Sequence, residues 1–572
     1  MPYPPEEINL VTLNCWGLKY ISKLRRQRLT EIGRQLATAS PQPDIVALQE
    51  CFTEEDYKSI RYKTKSILPH GKFYHSAAFG GGLAILSRWP IEESTMHRYP
   101  LNGRPTAFWR GDWYVGKGIA CAKIRYGPAA KQVVEVFNTH THAPYEGGKP
   151  DDSYLCHRTA QSWEMAKLLR GAAERGHLVL AMGDFNMVPM SPEYQLITGL
   201  APVNDVWRTL HPDSSLGPSH HPAEEARRRP VPTAEFNILE NGATSDGPYN
   251  TWRWTKAQQK LLGSGRRPVT VSPDTPDPLG KRLDYIFASS GDATALGGTW
   301  SVERASVGMM MRHPDLGCSL SDHFSVEATL SFQPLPPSPP FHPPPAPPSP
   351  TSNPASIHEP SPTTAVPNAP EAPPSEPTPP TTTTPPPPGP PPGPPPGPPP
   401  AQPQPSHRIS KTESALHNGT YLQLQTPTPS QRTSTDQPPP PIAQLPLATY
   451  DAILDVIATY AAREERQRAW RARHFFLSVL IGVGCMVGVW FAPANYVRFV
   501  LVVVSSVGLV AGTVDGLMAL LFFGGELNAL REFEWEVGNA RRVAGLQRGG
   551  GGGGGGGGNR GGDGGVAGER VW

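Results

Sequence analysis

The chain has 572 residues, and its 52 Lys+Arg against 50 Asp+Glu leave a formal net charge of only +2. That balance excludes a histone-like or polybasic nucleic-acid binder, which needs a dense cationic footprint. Six scattered cysteines (15, 51, 121, 156, 318 and 485), with no CxxC pair, predict a reducing compartment rather than a disulfide scaffold.

The opening MPYPPEEINL has neither a basic start nor an apolar run, so no signal peptide is expected. Residues 7–332 then alternate between strand and helix patterns. EINLVTLNCW, β-branched and apolar, predicts a strand ending at Trp16-Gly17. LRRQRLTEIGRQLATAS predicts a helix with Leu29, Ile32 and Leu36 on one stripe. PDIVALQE is a short apolar strand that ends in a carboxylate. GLAILS, GIACAKIRYG, QVVEVFNTH, HLVLAMGD, LDYIFAS and DHFSVEATLSF repeat the strand theme. One long helix, DDSYLCHRTAQSWEMAKLLRGAAERG, intervenes. Residues 211–248 are polar and Pro-rich and read as a mobile surface insertion. Many strands with few helices between them predict sheets packed on each other with helices outside.

Of the 70 prolines, 43 fall within residues 331–450. Such a stretch lacks backbone donors and apolar surface, so 333–446 is expected to be a disordered linker dividing the chain. Its stiffness would let the preceding domain sweep a wide patch. Residues 447–474 predict an amphipathic helix turning strongly basic. The apolar runs 475–494 and 499–523 meet the ~17–25 residue length of a membrane span, and Asp515 is the charge in the second. Their short connection predicts a helical hairpin. A buried core hairpin is the alternative, disfavoured because this end has no other folded partner. Arg466, Arg468, Arg471 and Arg473 flank the first span against Arg498 in the connection, so the large N-terminal domain is expected in the cytosol. Residues 524–572, with ten glycines at 549–558, are expected as a flexible cytosolic tail.

Polar residues gather at the predicted strand ends: Asn14 in LNCWG, Glu50 in LQE, His140 in FNTHTH, Asp184 and Asn186 in MGDFN, Asp284 in LDYIF, and Asp322-His323 in SDHF. Singly, a strand-end Asp caps the next helix and a strand-adjacent His is merely hydrogen-bonded. Together, carboxylate and amide oxygens suit a hard Mg²⁺ that shares a substrate phosphate. Two histidines and further carboxylates remain for proton transfer. No Cys/His cluster has zinc spacing. GDWYVGKG (111–118) nearly fits the GxxxxGK of a nucleotide loop, but Gly118 replaces the Ser/Thr that would hold Mg²⁺ and no βαβ unit surrounds it.

LQE, NTH, GDFN, LDYIF and SDH, in that order, resemble the DNase I-like endonuclease/exonuclease/phosphatase superfamily. LNCWGLKYISKLRRQR, GDWYVGKGIACAKI, NTHTHAPY, HRTAQSWEMAKLL and GDFNMVP resemble the neutral sphingomyelinases within it, and most closely the fungal inositol phosphosphingolipid phospholipases C, which carry two C-terminal spans. The resemblance covers 7–332 and 447–530 and implies an α/β (α+β) four-layer sandwich of two mixed sheets flanked by helices. It implies Glu50 as principal Mg²⁺ ligand with Asn14 beside it, Mn²⁺ being able to substitute. Asp184 and Asn186 would position the attacking water and a phosphate oxygen. His323 would be the general base oriented by Asp284, with Asp322 beside the metal and His140 on the phosphoryl oxygens. Asp112 and Lys117 would serve activity, Lys117 contacting phosphate or pairing with Asp112.

The expected activity is phosphodiester hydrolysis of the phospholipase C type, releasing ceramide and a phosphorylated head group in sphingolipid metabolism and signalling. Phosphoinositol and phosphocholine both remain open as head groups; Trp109, Trp113, Tyr114, Trp252 and Trp254 form a possible choline cage or are core and membrane contacts. Anionic phospholipids are the implied activators. A nuclease on the same fold is disfavoured by the charge balance and the spans. A scaffold whose Pro-rich arm recruits SH3 or WW domains does not explain a full catalytic set. Endoplasmic reticulum, mitochondrion and plasma membrane are all open as the host membrane.

Overall fold

The computed structural model describes residues 4–104, 106–146, 152–263, 269–336 and 445–550. The expected Pro-rich arm, its SH3/WW ligands and the glycine run from 551 onward lie outside the described residues.

Among the described residues, twelve strands form two mixed sheets. They are β1 (Glu7–Asn14), β2 (Ile45–Gln49), β3 (His70–Tyr74), β4 (Leu83–Ser87), β5 (Ile91–Arg98), β6 (Gly118–Arg125), β7 (Val133–His140), β8 (Leu178–Asp184), β9 (Asn204–Asp205), β10 (Asp284–Ser289), β11 (Gly298–Gly308) and β12 (Ser325–Pro334). One sheet runs β11-β12-β1-β2-β4-β3, the other β5-β6-β7-β8-β10-β9. Side chains alternate faces along a strand, and here both faces are apolar. Ile8, Leu10, Ile45 and Ala47 point inward to meet Ala122, Val136, Leu180 and Met182 of the other sheet. Val11, Leu13, Val46 and Leu48 point outward beneath Leu29, Ile32 and Leu36 of helix α1 (Arg25–Ala37) and Ile60 of α2 (Glu54–Thr64). On the far side, Phe137, Val179 and Ala181 lie beneath Met165, Leu169 and Ala172 of a twenty-residue helix. The result is the expected helix–sheet–sheet–helix sandwich. Burial of each such Leu or Ile contributes ~1.5–3 kcal/mol, so the central strands are held in register from both faces.

Residues 211–248, expected to be a mobile insertion, are ordered. Their polar residues go inward as a network: Asn241 Nδ2 donates to Asn237 Oδ1 (2.6 Å), Asn237 Nδ2 to Asp277 Oδ2 (2.8 Å), and Thr244 Oγ1 accepts Leu283 N–H (3.2 Å). Polarity here serves burial with partners rather than solvent exposure.

C-terminal to residue 445, one helix runs Leu447–Phe491, a second runs Asn495–Leu517, and a π-helical turn, Met518–Phe522, leads into a third, Phe523–Gly550. Two of these stretches are long and apolar enough to cross a membrane, and only 11% of each apolar window is buried, unlike a core hairpin. The flexible tail expected from 524 is corrected by the third helix. Its Leu527, Leu530, Phe533 and Val537 recur at helical spacing and pack on Tyr450, Ile453, Ile457 and Tyr460 of the first. The same cluster takes in Cys156, Ala160, Trp163 and Ala166. The freely sweeping catalytic domain is therefore also corrected: it is docked on the C-terminal helices.

Candidate active site

The site is assembled by strand register. In the second sheet His140 at the end of β7 lies opposite Asp184 at the end of β8, and Asp184 lies opposite Asp284 at the start of β10. In the first sheet Asn14 ends β1 opposite Gln49, and Glu50 is the next residue. Asp322 and His323 lie just before β12, with Phe324 between them and the strand. Glu50 and Asn186 both hold left-handed backbone (φ 51° and 46°), a strained state that persists where neighbours over-determine it. Gly17 supplies the room: a Cβ there would lie 2.2 Å from the Glu50 carbonyl oxygen.

The sheets are locked together beneath the site. Gln49 Nε2 donates to Asn138 Oδ1 (2.8 Å) across the sandwich, while Asn138 Nδ2 donates to the Leu48 and Ala84 carbonyls. Above this bridge, Asn14 Nδ2 donates to both Glu50 Oε1 (3.1 Å) and Asp184 Oδ2 (3.0 Å), and its oxygen accepts Trp16 N–H. Asp184 Oδ1 accepts Asn186 N–H (2.9 Å), and Asn186 Nδ2 donates to the Thr141 carbonyl. His323 Nδ1 meets Asp284 Oδ2 at 2.8 Å, leaving Nε2 3.9 Å from Asp184 Oδ2. His140 Nε2 is 3.5 Å from the same oxygen.

Electrostatics divide these groups. Burial opposes charge on His323, but Asp284 and Asp184 outweigh it and raise its pKa well above the ordinary histidine value. Burial and the Lys117 charge push His140 down to about 3, so it is neutral, and neutral imidazole both donates and accepts. Burial and the charge of Asp322 push Glu50 up to about 7. Two carboxylates so placed are costly without a cation.

Lys117 is buried, its pKa lowered by burial against the pull of Asp112, Asp184 and Glu50, and Nζ donates to the Thr141 carbonyl (2.8 Å). Asp112 lies 3.9 Å from Lys117 and 3.4 Å from His142 Nδ1. The 111–118 segment forms one short turn, α3 (Asp112–Val115), and Lys117 precedes a strand rather than opening a helix, so it is no nucleotide loop. Gly116 (φ 64°) closes that turn where a Cβ would sit 2.6 Å from Ala77 Cβ.

Among the described residues, Asp184, Asp284 and His323 satisfy metal-ligand spacing. Both Asp184 oxygens are engaged, with Asn14 and Asn186, and Asp284 Oδ2 with His323, while Asp284 Oδ1 is buried without a partner. Glu50 Oε2 is likewise a buried oxygen with no partner, which fits a divalent cation. Asn14 stands beside it as a donor bridging two carboxylates. Sequence reading missed the supporting residues Gln49, Asn138, Thr141 and His142, although they sit inside the same LQE and NTHTH strings. Ser321, whose Oγ donates to the Asn14 carbonyl (2.6 Å), was missed likewise. The suggested aromatic cage does not converge: Trp113 meets Phe522 of the C-terminal helices, while Trp252 packs on Trp16.

Two mixed sheets with a His–Asp dyad and buried carboxylates at their strand ends suit phosphoester hydrolysis, and the family and relatives below make the chain a phosphoric diester hydrolase. Residues 11–323 match the model of the Endonuclease/Exonuclease/phosphatase family, and the chain belongs to that family. It is 42% identical over 332 residues to Inositol phosphosphingolipids phospholipase C of Schizosaccharomyces pombe, across 58% of this chain and 70% of that protein. The protein of the same name from Saccharomyces cerevisiae is 28% identical over 552 residues, across 93% of this chain and 89% of that one. Sphingomyelin phosphodiesterase 2 of Homo sapiens is 30% identical over 354 residues, across 62% and 68%.

Proposed function

We propose that this chain is a Mg²⁺-dependent phospholipase C-type phosphodiesterase that hydrolyses inositol phosphosphingolipids to ceramide and a phosphorylated head group. The observation that carries the reading is the His323–Asp284 pair facing Asp184 and Asn14, with the unpartnered Glu50 oxygen beside them. A divalent cation held by Glu50, with Asn14 and Asp322 nearby, would polarise a phosphoryl oxygen and favour neutral His323.

Asp284 fixes His323 through Nδ1, so Nε2 is the atom that takes a proton from the attacking water. Asp184 and Asn186 hold that water and a phosphate oxygen, and His140, neutral and able to donate, stabilises charge on the phosphoryl group. Lys117 adds positive charge from within the fold, held in place by the Thr141 carbonyl, with Asp112 at longer range. Water oxygen bonds to phosphorus, the bond from phosphorus to the ceramide oxygen breaks, and that oxygen leaves with a proton.

The inositol head group is favoured because two of the indoles suggested for a choline cage already carry cations: Arg28 stands 5.6 Å from the Trp252 ring and Arg312 stands 4.6 Å from Trp254. The relatives' names support the same choice, with sphingomyelin as the second candidate substrate. The test incubates full-length protein with labelled inositol phosphosphingolipid, sphingomyelin and nicked plasmid in parallel, with and without Mg²⁺. Ceramide release from the first, dependent on Mg²⁺, is expected. Cleaved plasmid without ceramide would overturn the reading.

A further inference from the structure

The loop that leaves the site from β1 has no role in the chemistry, yet its shape is built. Leu18–Leu24 places Tyr20 90% exposed and Ile21 71% exposed, beside exposed Leu24. Large side chains left this bare on a monomer surface call for a partner when they cluster. The tip is not slack. Ile21 and Ser22 N–H both donate to the Leu18 carbonyl. Beneath it the fully buried Arg28 guanidinium donates to the Lys23 (2.8 Å), Trp16 (2.8 Å), Cys15 (3.2 Å) and Leu320 (2.6 Å) carbonyls. Leu24 is held in left-handed backbone at φ 52° where the loop turns into α1. Both ends of the tip are thus pinned by one buried cation.

We propose that this loop is a bilayer contact of the catalytic domain itself, with Tyr20 and Ile21 entering the headgroup boundary of an anionic membrane beside the mouth of the site. The inference rests on the reading that the substrate is a bilayer lipid. Charge argues for a membrane as the occupant: Lys19, Lys23 and Arg26 are exposed, and residues 17–30 contain no Asp or Glu. Cations ringing an apolar tip suit anionic headgroups above an acyl boundary, and tyrosine is favoured at that depth.

Position argues likewise. Asn14 is four residues before Leu18, and Gly17 at the base of the loop packs against the Glu50 carbonyl, so the tip springs from the floor of the site. A second exposed ring, Phe79 (63%), stands on the β3–β4 loop, where the Gly82 carbonyl accepts Cys51 N–H, directly after Glu50. The two tips leave from segments that both touch the Glu50 turn. The apolar C-terminal helices hold the protein at a membrane, and these tips would orient the mouth of the site toward it.

The test uses full-length protein in equimolar phosphatidylcholine and phosphatidylserine vesicles. Ile21→Cys carries an environment-sensitive fluorophore, with labelled wild type correcting for native cysteines. Quenching by lipids bearing a quencher near the glycerol backbone is expected. The Tyr20→Ser/Ile21→Ser pair should lower turnover of vesicle-borne lipid on the order of tenfold, the scale of losing two interfacial anchors, with detergent-dispersed turnover retained. An unquenched label, or equal loss in both formats, would overturn the loop's role. Wild-type protein that releases no ceramide in either format would refute the catalytic reading alone, since the quenching result stands independently.

Discussion

In the proposed mechanism His323 carries the heaviest chemical demand of any residue. Substituting it with Ala removes the proton acceptor and should cost ~10²–10⁴ in turnover, the usual scale for general-base catalysis; near wild-type turnover would rule out the role. Glu50 makes a subtler prediction. Its carboxyl is raised to about 7 from an ordinary 4.5, so the folded state keeps a proton that the unfolded state releases, and stability falls as pH rises across that window. Glu50→Gln removes this cost. In chelator above neutral pH, the variant should melt no lower than wild type. Mg²⁺ should raise the wild-type melting temperature and leave that of the variant unmoved. A variant that melts higher with Mg²⁺ would move the cation elsewhere, for instance to Asp184, Asp284 and His323. Most of these residues were legible in the sequence because each borders an apolar strand. The Gln49–Asn138 bridge was not, since it depends on two strands some ninety residues apart meeting across the sandwich.

The docked C-terminal helices carry their own titratable cluster. Glu464 is buried against Glu526, whose Oε1 accepts from Tyr460 (2.7 Å) and lies 3.3 Å from His157 Nε2. Burial, then the charge of Glu526, raises Glu464 to about 7. The sign matches that of Glu50: helix docking is firmest while Glu464 is protonated and weakens as pH rises from about 4.5 to about 7. Glu464→Gln should flatten this dependence in melting curves of detergent-solubilised protein; an unchanged slope would assign it to other groups. Trp163 is the apolar anchor, its Nε1 donating to Glu536 (2.9 Å). Trp163→Ala should cost ~3–5 kcal/mol of that docking, as large-to-small core changes do, seen as faster proteolysis within 523–550. This helix escaped sequence reading because the adjacent glycine run masked the Leu527, Leu530, Phe533, Val537 stripe. The 211–248 segment escaped because buried polar networks look like loops in one dimension.

At the scale of the whole molecule, a phosphodiester site is joined to helices that suit a bilayer, and Trp113, next to Asp112, meets Phe522 of those helices. The basic flank around Arg466–Arg473 should attract anionic lipid at ~1 kcal/mol per cation near the surface, screened by salt. Deleting 447–572 should therefore lower activity on phosphatidylserine vesicles far more than on dispersed substrate, where detergent covers the bared Trp163 face. Equal relative loss would reduce the helices to an address.

The chemistry itself is tested most directly by hydrolysing inositol phosphosphingolipid with full-length protein and Mg²⁺ in ¹⁸O-labelled water. Attack at phosphorus with ceramide as the leaving group predicts label in the released inositol phosphate and none in ceramide. Label in ceramide, or a labelled ceramide phosphate with free inositol, would contradict it.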